Sequence, residues 1–65
     1  MDEHWKKLGE ELPPVGVEVV GYTDTGVLYL VEREVGQVMG TFATFDRMVR
    51  KDADLEIKNI ACWRS

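Results

Sequence analysis

The chain has 65 residues with a formal net charge of −4, 45% hydrophobic and 31% charged residues. That length sets a single domain, and that balance is globular and excludes a disordered chain. One cysteine excludes an internal disulfide, and an acidic balance disfavours a surface for phosphate backbones.

Taken in chain order, Asp2 to Leu12 predicts a short helix or extended segment. Asp2 can cap it, and Trp5, Leu8 and Leu12 then fall on one face. Pro13-Pro14 ends it, because the residue before a proline is pushed out of the α region. Val17 to Tyr22 is β-branched and aromatic and predicts the first strand. Thr23-Asp24-Thr25-Gly26 predicts a hairpin turn with Gly26 at positive φ, and Val27 to Arg33 predicts the second strand. Glu34 to Gln37 is a second turn in this reading. Val38 to Phe45 is a third strand with Gly40 inside it, and Asp46 to Asp54 is a polar loop. Leu55 to Trp63 closes the chain as a fourth strand. Its first half alternates, and its second half reads as buried on both faces. The predicted fold is mainly β, a four-stranded antiparallel meander with the N-terminal helix or extended segment covering one face.

The opening from His4 to Tyr22 carries Trp5, then Leu12-Pro13-Pro14, Gly16 and a Val-rich strand ending in Tyr22. The close is Asn59-Ile60-Ala61-Cys62-Trp63. This pattern resembles a family of small phage- and prophage-encoded domains of unknown function. The resemblance implies an accessory protein acting in a bacterial cytoplasm, with no assigned reaction and no site to carry over.

Chemistry-bearing patterns are sparse. Cys62 and His4 are the one nucleophile and base pair, but Cys62 lies in an apolar run where burial makes a thiol inert. Two such ligands are too few for a structural zinc site. Asp52-Ala53-Asp54 opens like a calcium loop, but Ile57 and Trp63 stand where glycine and glutamate are needed. Gly36 to Gly40 lacks the Lys-Ser or Lys-Thr and the helix start of a phosphate loop. The expectation is therefore no enzyme, no cofactor and no metal.

Residues 1–34 hold eight acids against three bases, whereas residues 35–65 hold four acids against five bases. An acidic half favours a basic partner surface. Tyr22 and Tyr29 flank the hairpin and are candidate anchors, and Arg47, Arg50 and Lys51 form a basic cluster that Asp46, Asp52 and Asp54 largely cancel. The leading expectation is a protein-interaction module, in one form an inhibitor of a host nuclease or defence complex. It would bind a protein partner and bind neither nucleic acid nor membrane. The alternatives are a nucleotide-binding homo-oligomer with Arg47, Arg50 and Lys51 in a shared site, or a minor structural protein. A core this small also predicts a homodimer through an unpaired strand edge. The N-terminus has no signal-peptide pattern, so a cytoplasmic location is expected.

Overall fold

A computed structural model describes residues 4–65. Six strands form one antiparallel sheet: β1 (Lys6–Lys7), β2 (Glu18–Thr23), β3 (Leu28–Gln37), β4 (Thr44–Arg50), β5 (Leu55–Glu56) and β6 (Ile60–Arg64). Their order across the sheet is β1-β6-β2-β3-β4-β5. The mainly β expectation stands, but the four-stranded meander does not. β2 to β5 run as a meander, with β5 only two residues long, but two further strands extend the sheet: the last strand returns to lie between β1 and β2.

The predicted helix is also corrected: among the described residues there is none. Trp5, Leu8 and Leu12 do not share a face. Trp5 packs against Tyr22 with ring centroids 5.8 Å apart and ring planes tilted by 53°. Leu8 packs against the core on the other side of the sheet, and Leu12 stays half-exposed. Gly9 is a poor helix residue, and Lys6–Lys7 find a better partner in β6, opposite Trp63 and Cys62. Asp2, the expected cap, lies outside the described residues.

Beyond β1 the chain makes a turn over Leu8 to Glu10, closed by the Glu10 and Glu11 N–H groups on the Lys7 carbonyl at 3.0 Å, and then crosses one face without regular structure. Leu8 donates its N–H to the Ala61 carbonyl at 3.0 Å, and Trp63 Nε1 donates to the Glu11 carbonyl at 2.7 Å. Pro13 is buried, and its carbonyl accepts a bond from Arg33 Nη1 at 3.3 Å. The core beneath holds Val19, Val31, Met48, Ile57, Ile60 and Trp63, with Tyr29 packed at its margin. Each such buried side chain contributes roughly 1.5–3 kcal/mol, so this cluster is the main support of a small domain.

The β2–β3 hairpin forms as its composition predicts. Thr23 and Val27 close the turn, with Thr23 N–H to the Val27 carbonyl at 2.9 Å and Val27 N–H to Thr23 Oγ1 at 2.9 Å. Gly26 takes φ 86°, a left-handed value open to glycine.

Downstream the expected boundaries shift. Glu34 to Gln37 is strand rather than turn, and Val38 to Ala43 is the turn rather than strand. Gly40 sits at φ 79° at its tip. The expected polar loop from Asp46 is largely β4. Its charges are satisfied across the ladder, Arg33 with Asp46 at 2.7 Å and Arg47 with Glu34 at 3.1 Å. The expected fourth strand breaks after Glu56. Ile57 donates its N–H to the Met48 carbonyl at 2.9 Å, turns its side chain into the core, and leads the chain across to β6.

Candidate interaction face

Side chains of adjacent strand residues point to opposite faces, so the ladder register assigns each residue to a side. Val19, Gly21, Tyr29, Val31, Met48 and Trp63 share the core face. The opposite face carries Glu18, Val20 and Tyr22 of β2, Leu28, Leu30 and Glu32 of β3, and Cys62 and Arg64 of β6.

Leu28 is 58% exposed and Leu30 57% exposed, although both stand mid-sheet beside β2. Their cross-strand partners are Tyr22 and Val20, both half-buried. Trp5 extends this apolar surface past Tyr22, and the Arg64 guanidinium lies 5.9 Å from the Trp5 ring centroid. Cys62 is buried here, directly opposite Tyr22 in the ladder.

At one end of this surface Glu18 and Glu32 are direct cross-strand partners. Like charges in that position oppose pairing. Among the described residues neither carboxylate is in an ion pair, although Lys51, bound to Glu34, also feels the charge of Glu32. The face therefore presents two leucines and an aromatic pair, bordered by two facing carboxylates, of which only Glu32 has a cation, Lys51, within electrostatic reach.

The five residues singled out from the sequence do not form one site. Tyr22 and Tyr29 flank the hairpin as expected, but they point to opposite faces, because Tyr29 pairs with Gly21 rather than with Tyr22. Tyr29 joins the margin of the core beneath Arg50, whose guanidinium lies 5.6 Å from its ring centroid. Arg50 also forms an ion pair with Asp52 at 2.8 Å. Arg47 and Lys51 both bind Glu34. Those two cations hold the Glu34 carboxyl below its ordinary range, chiefly through the Lys51 hydrogen bond. Val49, which is buried, follows Arg47 on the same face of β4 as the Arg47–Glu34 ion pair. The basic cluster is thus consumed in bracing the β3–β4 hairpin.

Of the calcium-like pattern, Asp52 neutralises Arg50, and Asp54 adopts φ 50° in the tight turn before β5. Aspartate tolerates that left-handed value better than most residues.

Sequence reasoning missed Glu32, Leu28 and Leu30 as surface features. The signal was present in the turn. Once Thr23 pairs with Val27, two-residue alternation places Leu28 beside Tyr22, Leu30 beside Val20, and Glu32 beside Glu18.

No protein-family model matches the chain, and no curated protein or solved structure matches it either.

Proposed function

We propose that this chain is a non-enzymatic interaction module, and that it binds a partner protein through the face bearing Val20, Tyr22, Leu28 and Leu30. The observation that carries this reading is the Glu18–Glu32 pair at the border of that face. Two facing carboxylates cost folding stability, and a cationic group from a partner relieves the cost. The leucines and the Trp5–Tyr22 pair supply apolar area of the kind that anchors interfaces. The partner is accordingly a protein with an apolar patch beside a basic rim. A nuclease or other nucleic-acid enzyme of a host cell has such a rim where it meets phosphates, which suits an inhibitory accessory protein of a phage or integrated element.

Affinity capture from bacterial lysate tests this with four baits: wild type, Leu28→Ser/Leu30→Ser, Glu18→Gln/Glu32→Gln, and a Lys58→Gln control remote from the face. A protein held by wild type and by the control should be lost from both face variants. It should also fade with rising salt. Equal retention by all four baits, or no retained protein at any ionic strength, overturns the reading.

A further inference from the structure

The β3–β4 hairpin ends in a second apolar feature, remote from that face. From Val35 to Phe45 there is no charged residue. At the tip Met39 is 96% exposed and Phe42 98% exposed. Side chains that large are seldom left wholly in water without a use.

The outer edge of β4 beside this tip is open. β5 covers β4 only at Val49 and Arg50, and Ile57 takes the Met48 carbonyl. The Val38 N–H to Ala43 carbonyl bond sets which residues of β4 face β3. By alternation these are Phe45, Arg47 and Val49, so the backbone groups of Thr44 and Asp46 point outward. Among the described residues no strand pairs with them there.

Near the same edge lies a groove of about 270 Å³. Leu8, Met48, Ile57 and Ile60 form its apolar floor with Leu12 at 49% exposure, and the charged Asp46, Arg47, Glu56 and Lys58 form its rim.

We infer that two copies of this chain pair through their β4 edges about a two-fold axis at Phe45, each placing Phe42 against the other's groove. The register follows from three constraints. Pleating requires paired residues to share a face, which restricts the axis to a residue rather than a gap between residues. An axis at Asp46 would set carboxylate against carboxylate. An axis at Phe45 sets Thr44 opposite Asp46 of the second copy, and Asp46 opposite its Thr44. Both residues have outward backbone groups, so four backbone hydrogen bonds form. The same register carries the tip toward Met48 of the second copy, where Ile57 already holds the edge, so Phe42 meets the groove with its side chain and not by backbone pairing. Asp46 keeps its Arg33 partner throughout, and the tip brings no charge of its own into the interface. The result is one continuous sheet through both copies, with its exposed edge removed.

Sedimentation equilibrium over a range of concentrations tests this. Wild type should show a reversible monomer–dimer equilibrium. Phe42→Asp should weaken the dimer by at least about tenfold, as loss of an interface anchor does. Its circular dichroism should be unchanged, because Phe42 is 98% exposed in the monomer. Thr44→Pro removes an outward N–H without touching the β3–β4 ladder and should also abolish dimers. Equimolar Phe42→Asp and Leu12→Arg should recover part of the association, because one of the two seats is then intact. Under oxidation, Phe45→Cys should cross-link across the axis, where paired Cα atoms lie about 4.5 Å apart, and Arg47→Cys should not. A wild type that stays monomeric at every concentration overturns the inference. So does a dimer indifferent to Phe42→Asp and Thr44→Pro, or cross-linking at 47 rather than 45.

Discussion

Phe45 lies over Gly36, its direct partner in the β3–β4 ladder, so closely that a Cβ on Gly36 would stand 2.6 Å from the ring. The ring fills the space that a side chain would otherwise occupy. Arg47 also lies over the ring, its guanidinium 5.0 Å from the centroid. Gly36→Ala should therefore push the ring off the sheet and loosen the Arg47–Glu34 contact. Overpacking of this sort costs about 1–3 kcal/mol. Urea denaturation of Gly36→Ala against wild type measures it, and an unchanged midpoint would show that the ring moves freely.

Gly21 should be the less tolerant glycine. A Cβ there would meet Ile60 Cδ1 at 2.8 Å and Val31 Cγ2 at 3.1 Å, both buried. Phe45 can swing toward solvent, whereas Ile60 and Val31 cannot. Gly21→Ala should lower the melting temperature more than Gly36→Ala does. The reverse order would place the rigid part of the sheet at the tip rather than around β6.

Glu18→Gln should move stability and binding in opposite directions. It removes the like-charge opposition to Glu32, which adds roughly 0.2–1 kcal/mol to folding. It also removes half of the carboxylate pair offered to a basic partner. A thermal melt should rise while affinity for the captured partner falls. A purely structural carboxylate pair would raise the melt and leave affinity alone.

Acid should weaken the β3–β4 hairpin through Glu34 and Asp46. Hydrogen bonds from Lys51 and Arg47 lower the Glu34 pKa, and one from Arg33 lowers that of Asp46. A depressed folded-state pKa adds stability above the unfolded carboxylate pKa, and this is lost as pH falls through the folded value. Stability should thus decline as pH drops below the ordinary carboxylate range. Glu34→Gln should flatten part of that decline and leave the neutral-pH melt lower. Chemical denaturation at stepped pH checks both, and parallel pH curves for variant and wild type would remove Glu34 from the account.

The first hairpin was legible because its signals agree. β-branched runs flank a turn whose Thr23 and Gly26 have no better conformation to adopt. The third strand was not, because Asp46-Arg47 reads as polar loop until Arg33 and Glu34 are known to lie opposite. Local composition cannot reveal a charge satisfied from a strand 13 residues away. Leu55 to Trp63 misled for a related reason: it keeps a β pattern throughout, yet Ile57 to Asn59 is pulled across the core by the Met48 carbonyl. The helix expectation failed at Trp5, Leu8 and Leu12, whose spacing fits one helical face. Tyr22 and the core recruit the first two to opposite sides of the sheet. For the candidate face, Tyr22 was found from the sequence, while Leu28 and Leu30 were passed over inside the Val27 to Arg33 strand, to which no faces had been assigned.

The insertion of β6 between β1 and β2 has a consequence for how the molecule is made. Both neighbours of β6 are synthesised long before it, and Trp63 bonds to Glu11 across 52 residues. During translation β2 must wait with one flank unzipped, and Lys6–Lys7 have no strand to lie against. Cooperative closure therefore comes late, when Ile60 to Arg64 clear the ribosome, and a nascent chain stalled before that point exposes apolar surface that chaperones can capture.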